Sequence, residues 1–544
     1  MEPVLHDLSM PMQDRTVGKL VARWGRECPN RPFIRFEERT ITWSDADRIT
    51  NRMANGLSAI GVTHGTHVAT LLDNHPETLL LYLALAKIGA ISIPLNTAAK
   101  GELLSYYLSH SDATILVMDR QFVEGYLAVQ AGSPNVQRVI VFDEDTIANP
   151  SLPVGITATT HAFGEVMSGA DHAPDAQVEF HHTFGLFYTS GTTGPSKAIV
   201  SPHAAAITAG IVRSRYLGYW QEDVLYTCLP LFHTNALYST CMSVLVTGAS
   251  VALSRRFSAH AFWDDVKRSG ANKFNLLGAM ANILWNQAEG PQDRAHSVVQ
   301  CTMVPVPEFA AEFERRFNLK IVSVYSLTDF SLGTVLGPRH PPAKLRSAGH
   351  ASTGVLVAIH DDNDLPLPAG QPGEICLRND ESWICGQGYY KMADATLTSI
   401  RNLWFHTGDR GYLDEDGYLF FVDRQKDAIR RRGENVSSWE VEQIILRHPA
   451  VAEVAAFAVR SDMTEDEVMV SVVAKPGMTV DPGQLVLFCR DNMAYFMVPR
   501  FVELVQSLPK TGTQKVEKYK LRTSAEERLA DIWDREKVGI RITR

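Results

Sequence analysis

The sequence lacks the close cysteine pairs on which zinc sites and disulfide frameworks are built. Its seven cysteines (Cys28, Cys228, Cys241, Cys301, Cys376, Cys385 and Cys489) are scattered with no CxxC, and an odd count fits a reducing compartment. Excess positive charge is missing too. The formal net charge is −9, so no general attraction to nucleic acid or to an anionic membrane surface is expected. There is no long unbroken apolar run: the most apolar stretch, Leu79 to Leu95, is interrupted by Lys87, Gly89 and Pro94. It reads as a buried helix followed by a strand rather than a membrane span. The first residues, MEPVLHDLSMPMQDRT, show no basic region followed by an apolar one, so a secretory leader is not expected. Short repeats and low-complexity blocks are absent. The expectation is a cytoplasmic protein with no transmembrane segment and no nucleic-acid partner.

What is present is ordinary globular composition, 45% hydrophobic and 21% charged, over 544 residues. That length suits roughly three or four compact units. Residues 40 to 60 carry a helix signal with Ser44 as N-cap. Short apolar strands then alternate with helical stretches at 67–72, 78–88, 90–94 and 113–118. Further strands are expected at 224–229, 249–253, 273–277 and 320–324. Such alternation predicts parallel sheets covered by helices. Residues 144 to 180 read as a loop-like junction. From about 345, short strands between Gly, Asp and Pro turns predict a small β-rich region. After Asp423 comes the densest basic run, Arg424 to Arg432. Ser437 and Glu440 then stand in capping-box spacing before an amphipathic helix. The remainder reads as a separate α+β domain of roughly 120 residues.

The densest chemical signal is Tyr188-Thr-Ser-Gly-Thr-Thr-Gly-Pro-Ser-Lys197. Small residues let backbone N–H groups approach anionic oxygens, hydroxyls add donors, and the lysine supplies charge. Phe184 to Tyr188 predicts a strand before the loop. Ser201-Pro202 predicts a helix start after it, which is a phosphate-binding context. A plain flexible surface loop is the alternative. The run is neither a Walker A loop, since Ala198 follows Lys197, nor GxGxxG.

This loop resembles the signature of the adenylate-forming superfamily, which includes acyl-CoA synthetases, and further family motifs follow in order from about residue 30 to 522. Leu229-Pro-Leu-Phe-His-Thr-Asn235 is similar to the motif at the acyl-pocket edge. Tyr325-Ser-Leu-Thr-Asp329 is similar to Tyr-Gly-x-Thr-Glu, with Ser326 for the glycine and Asp329 for the glutamate. Trp404-Phe-His-Thr-Gly-Asp409 with Asp423-Arg424 matches the ribose motif, and Gly373-Glu374-Ile375 resembles the start of another family strand. Leu508-Pro-Lys-Thr-Gly-Thr-Gln-Lys515 resembles the C-terminal catalytic loop, with Gln514 where a glycine is usual.

The resemblance implies an α/β core domain over 1–424 with two helix-covered β-sheets and a small β-barrel-like unit at about 345–424. A small mobile α+β lid would follow over 425–544, hinged at Lys426. It implies ATP-dependent carboxylate–CoA ligation: an acyl-adenylate forms with pyrophosphate release, then a thioester with AMP release, using ATP, Mg2+ and coenzyme A. Lys515, Thr328 and His233 would stand at the reacting centre, while Lys510 and Lys518 would be surface charges. ATP would be held by Thr189, Ser190, Gly191, Thr192, Thr193, Gly194, Lys197, Tyr325, Thr328, Asp409 and Arg424. Asp329 would hold the metal, although its carboxylate sits back by about 1.5 Å, one C–C bond. Gly433, after Arg431-Arg432, would lie beside the CoA tunnel. His233, Asn235, Tyr238, Gly278 and Val306 would line the acyl pocket. Met280 and Trp285 are read as core residues. The branch resembled is that of crotonobetaine/carnitine-CoA ligases, and a homodimer is common among relatives. Alternatives are a stand-alone enzyme loading an acid or amino acid onto a carrier protein, and an inactive ligand-binding homologue.

Overall fold

A computed structural model describes residues 9–146, 152–189, 195–424, 428–431, 433–460, 465–509 and 516–542. Backbone contacts divide the chain into two compact units. The first comprises Met1–Thr97, Tyr107–Tyr188 and Ala198–Asp423; the second comprises Ala98–Tyr106, Thr189–Lys197 and Arg424–Arg544.

The first unit is α/β, as the alternation of strands and helices predicts. Its larger sheet has nine strands among the described residues, running from His350–Ala351 at one edge to Arg39–Thr42 at the other. The central pairs of that sheet are parallel, for example Lys273–Leu277 with Gln300–Val304 and with Val224–Thr227. A seven-stranded sheet runs from Thr159–Ala162 through Ile115–Asp119 and His67–Leu71 to Thr183–Thr189 and Lys197–Pro202. The helices Pro76–Ile88 and His203–Leu217 are buried on almost every side. Their sequences, LLLYLALA and AAAITAGIV, show why: a helix apolar all round has no face to give to water. Residues from both sheets and both helices join in one hydrophobic core.

The region after 345 is a five-stranded antiparallel sheet. Val355–His360, Gly373–Asn379, Trp404–Leu413 and Ile400–Arg401 lie in that order, with Leu419–Arg424 paired to Trp404–Leu413. Its core holds Ile359, Ile375, Leu377 and Leu419. The second unit contains the hairpin Ala428–Arg431/Glu434–Ser437, the helix Ser438–Ile445 and a four-stranded sheet led by Val451–Arg460 and Asp466–Ala474. No helix among the described residues is long and apolar enough to cross a membrane.

Three local expectations are corrected. The helix Trp43–Ala59 is capped by Thr42 rather than Ser44, the Thr42 side chain accepting the Asp45 N–H at 3.2 Å. Residues 144–180 are no junction, because Thr159–Ala162 forms the edge strand of the seven-stranded sheet and Phe163–Met167 a short helix. The phosphate loop leads into a strand, not a helix: Lys197–Pro202 is extended, and Pro202 is itself the N-cap of His203–Leu217.

One buried carboxylate sets a pH dependence. Asp119 closes the strand Ile115–Asp119 at 5% exposure and accepts the Asp73 N–H at 2.6 Å. Burial pushes its carboxyl up to about 7; the Asp73 hydrogen bond opposes this, while the Asp73 and Glu144 charges add to it. A carboxyl whose folded pKa exceeds its unfolded one stabilises the protonated protein, so stability falls as pH rises from about 4 to 7. Asp119→Asn is expected to be stabilising by about 1–3 kcal/mol at pH 8 and near neutral at pH 4.5. Thermal melts at the two pH values check this; a larger gain at the lower pH would reverse the sign and sink it.

Candidate active site

In the first unit two motifs far apart in sequence meet directly. Tyr325 lies in the strand Lys320–Leu327 and Asp409 in Trp404–Leu413. The Tyr325 hydroxyl donates to Asp409 Oδ2 at 2.8 Å, and both residues are buried. Asp409 follows a shaped turn: Gly408 has φ +73°, a conformation that favours glycine. The Asp409 N–H donates to Thr407 Oγ1 at 3.1 Å, and Thr407 Oγ1 donates to the Ile375 carbonyl at 2.7 Å.

The turn is held from behind by Glu374. Its Oε1 accepts the Gly408 N–H at 2.9 Å, and its Oε2 lies 2.9 Å from His406 Nδ1. His406 Nε2 is 3.1 Å from Asp364 Oδ1, and Arg401 stands beside both carboxylates. Glu374, Cys376 and His406 have the proximity of a metal group. The Arg401 guanidinium nitrogen, 2.8 Å from His406 Nδ1, supplies the positive charge there instead. Glu374 thus positions Asp409 without lying in the motif that contains it. On the expectation from the resemblance that Asp409 holds the ATP ribose, Glu374→Gln should raise KM for ATP about tenfold while changing kcat far less, a loss of about 1.4 kcal/mol of ordering. Steady-state kinetics with ATP varied test it, and an equal fall in kcat with constant KM would count against a positioning role.

Beyond Tyr325, Thr328 and Asp329 continue the motif. Thr328 Oγ1 is 3.1 Å from Thr234 Oγ1, which links it to the acyl-edge motif. Asp329 Oδ1 accepts the Tyr389 hydroxyl at 2.5 Å. Burial, and then the Asp329 charge, raises the Tyr389 phenol well above its usual range, so it remains a donor. Tyr389 is placed by the strand after the phosphate loop, since Tyr390 N–H donates to Ala198 O and Gln387 N–H to Val200 O, both at 2.8 Å. Nearby Gly386 must be glycine, because a Cβ there would stand 2.7 Å from the Asp329 carbonyl oxygen. Sequence reasoning missed Tyr389, whose only signal is aromatic residues after a glycine.

The expected acyl-pocket residues divide. His233 is half-buried, its ring 4.6 Å from that of Phe232. Asn235 opens the π-helical stretch Asn235–Met242, and its Oδ1 accepts from Asn275 Nδ2 at 3.0 Å. Gly278 begins the helix Gly278–Trp285, where a Cβ would lie 3.2 Å from Pro305 Cδ. Val306 is half-buried against the core. Tyr238 lies within the core, with its hydroxyl 2.7 Å from Ser201 Oγ. Trp285 stacks on Phe309 at 5.1 Å and Met280 is buried, as core residues should be.

In the second unit Thr189 ends one strand and Lys197 begins the next, both half-buried. Between them Ser190, Gly191, Thr192, Thr193 and Gly194 lie outside the described residues. Ser196 is fixed by Glu440: its N–H and hydroxyl donate to Glu440 Oε1 at 2.9 and 2.5 Å. Burial raises the Glu440 carboxyl, while the two Ser196 bonds oppose the shift. Glu440 therefore makes only half of the expected capping box. Ser437 Oγ accepts the Glu440 N–H at 3.3 Å, but the carboxylate serves Ser196. Gly433 turns the hairpin at φ +81° and donates its N–H to Glu465 at 2.9 Å. Arg431, read as part of a basic run, is buried in a 2.6 Å pair with Glu467. Lys518 is no surface charge; it is mostly buried between Glu442 at 2.7 Å and Ser438 at 2.8 Å. Lys426, Lys510, Lys515 and the Arg424 side chain lie outside the described residues.

Known proteins resemble this chain in sequence and in fold. The family model described as AMP-binding enzyme matches residues 21–390, and that of the AMP-binding enzyme C-terminal domain matches 440–515. A crotonobetaine/carnitine–CoA ligase of Salmonella agona (strain SL483) is 31% identical over 490 residues, covering 89% of this chain and 93% of its own. Two solved structures share the fold at 24% identity and a TM-score of 0.80. One is a double mutant of o-succinylbenzoate CoA synthetase from Bacillus subtilis, with 92% of this chain and 97% of that one covered. The other is the amide bond synthetase McbA from Marinactinospora thermotolerans, with 94% and 99% covered.

Proposed function

This chain belongs to the AMP-binding enzyme family, and from that premise we propose a division of labour among its residues. It is an ATP-dependent acid–thiol ligase of the AMP-forming kind. A carboxylate attacks the α-phosphate of ATP, pyrophosphate leaves, and a thiol then displaces AMP from the acyl-adenylate. The observation that carries the assignment of roles is the Tyr325–Asp409 contact at 2.8 Å, which joins the adenine and ribose motifs in one buried place.

A carboxylate accepts hydrogen bonds without donating, so Asp409 suits two ribose hydroxyls, with the Tyr325 ring set against the base. Thr328 offers its hydroxyl to the α-phosphate. Attack there brings two anions together, and positive charge is needed where negative charge accumulates. Lys515 supplies that charge, while Lys197 and the 189–197 loop hold the outer phosphates. Asp329 offers a hard carboxylate oxygen, a donor that fits Mg2+ rather than a softer metal. Asp329 would hold the ion, which when bound neutralises phosphate charge. His233 and Asn235 border the acyl group, and Gly433 lies on the thiol's path. Rotation of the 425–544 domain about Lys426 withdraws Lys515 between the half-reactions. All seven cysteines are free, which supports a cytoplasmic location.

The test is to incubate the protein with ATP, Mg2+, CoA and a panel of carboxylic acids. AMP, pyrophosphate and a new thioester are the expected products, and ADP with phosphate would overturn the reading. Replacing CoA with hydroxylamine separates adenylation from the choice of thiol.

A further inference from the structure

The hairpin Ala428–Arg431/Glu434–Ser437 is a two-stranded sheet of its own among the described residues, unjoined to the four-stranded sheet of the second unit. Two strands alone hold their shape poorly in water, so something else must fix them. The middle of the hairpin is fixed by burial: Ile429 and Val436 face each other across the ladder at 0% and 1% exposure. Its tip is different. Arg430 and Arg431 come before Gly433, whose φ of +81° is a conformation that favours glycine. What holds the tip is charge.

Three consecutive acids grip it. Asp466 Oδ2 accepts the Arg430 N–H at 2.9 Å, Glu465 Oε2 accepts the Gly433 N–H at 2.9 Å, and Glu467 Oε2 lies 2.6 Å from Arg431 Nε. The Arg431 guanidinium also donates to the carbonyls of Phe496 and Val498 at 3.1 and 2.9 Å, which anchors the hairpin a second time. Glu465 and the strand Asp466–Ala474 belong to the same compact unit as the hairpin. Side-by-side carboxylates repel, and an acidic run is ordinarily left to water. Here each acid meets a donor on residue 430, 431 or 433. Two of the three contacts run from a main-chain N–H to a carboxylate, the stronger class of hydrogen bond. They fix the backbone at the tip whatever side chains it carries.

We propose that Glu465 and Asp466 are positioning residues for the thioester-forming half-reaction, holding the hairpin tip so that Gly433 leaves an open course for the incoming thiol. The inference rests on the ligase reading above, which sets Gly433 on the thiol's path, and adds the residues that keep that glycine in place. Neither acid touches the reacting atoms. They stand 32 and 36 positions from the backbone groups they hold, so spacing gives no sign of the contact. A nucleophile must approach its carbon to about 3–3.5 Å and in line, and a misplacement of about 1 Å can cost about 10²-fold. In the ligase reading, adenylate formation uses ATP, the acid and the Lys515 cation, but not the tip. Loss of the grip therefore slows the second half-reaction and spares the first.

The experiment splits the reaction by nucleophile, using an acid from the panel that wild type activates. Adenylation is followed as pyrophosphate–ATP exchange without CoA. The adenylate is then captured either by CoA or by hydroxylamine, which is too small to need a guided path. Glu465→Ala should raise KM for CoA about tenfold or more, with exchange and hydroxamate formation within about twofold of wild type. Adding Asp466→Ala should deepen the CoA defect to about 30-fold or more. Should that double variant fail to fold, Glu465→Ala carries the test alone. Glu465→Gln keeps an acceptor oxygen and should recover most of the CoA use, a rescue that general destabilisation would not show. Amide hydrogen exchange gives a readout independent of turnover: the Gly433 N–H should exchange about tenfold faster or more in Glu465→Ala. Equal loss of adenylation and thioester formation would overturn the inference and leave the ligase reading intact. So would unchanged CoA use in a variant whose Gly433 amide has lost its protection. ADP and phosphate from wild type would overturn the ligase reading and the inference with it.

Discussion

Lys515→Ala is expected to lower acyl-adenylate formation by about 10²–10³-fold while leaving thioester formation from a supplied acyl-adenylate within a few-fold of wild type. The asymmetry follows from charge. In the first half-reaction a carboxylate approaches a triphosphate, and the transition state places additional negative charge on oxygens that already repel the nucleophile. An ammonium between them acts where the charge develops, and removing one such group from a water-poor site typically costs on the order of 3–4 kcal/mol. In the second half-reaction the electrophile is already activated and the leaving group is AMP, so the same cation has less to stabilise. The check is isotope exchange between pyrophosphate and ATP for the first step, and CoA consumption with synthetic acyl-adenylate for the second. Equal loss in both would mean that Lys515 acts on folding or on a shared conformation. Lys510 and Lys518 serve as internal controls. Lys518 is held by Glu442 at 2.7 Å and Ser438 at 2.8 Å, so its loss should affect stability rather than the balance between half-reactions.

Much of this organisation is legible in the sequence, because the signals that identify it are local. Buried helices such as Pro76–Ile88 declare themselves by apolar runs of helical length, and strands such as Ile115–Asp119 by short β-branched ones. Tyr325 and Asp409 are found by their motifs, although no rule of spacing says that they touch. Where local signals compete, the reading fails. Ser201-Pro202 looks like a helix cap, yet the proline ends a strand, where its missing N–H breaks no ladder, and still caps the next helix. Thr159–Ala162 is an edge strand without apolar alternation, so nothing distinguishes it from a loop. The contacts between Tyr389 and Asp329, and between Glu440 and Ser196, join residues 60 and 244 positions apart.

Asp409→Ala is expected to reduce kcat/KM for ATP by about 10²–10³-fold, through KM more than kcat. Asp409 is 4% exposed, so its carboxylate meets little bulk water that could replace a lost ligand contact. Hydrogen bonds to a charged acceptor contribute about 1.5–3 kcal/mol each, and two ribose hydroxyls would give about 3–5 kcal/mol together, since neighbouring bonds are not fully additive. The substitution also strands the Tyr325 hydroxyl, which donates to Asp409 Oδ2 at 2.8 Å. A loss of activity alone would therefore not separate ribose recognition from disturbance of the tyrosine. Nucleotides lacking one hydroxyl do separate them. Wild type should discriminate against both 2′-deoxy-ATP and 3′-deoxy-ATP, and the variant should accept all three nucleotides almost equally, because the group that read the hydroxyls is gone. Tyr325→Phe removes the phenol but keeps the ring and the carboxylate, so it should retain discrimination at the ribose. If Asp409→Ala still distinguishes ATP from its deoxy forms, the ribose is read elsewhere, and the Asp409–Tyr325 contact is structural support for the strand Trp404–Leu413 rather than part of nucleotide recognition.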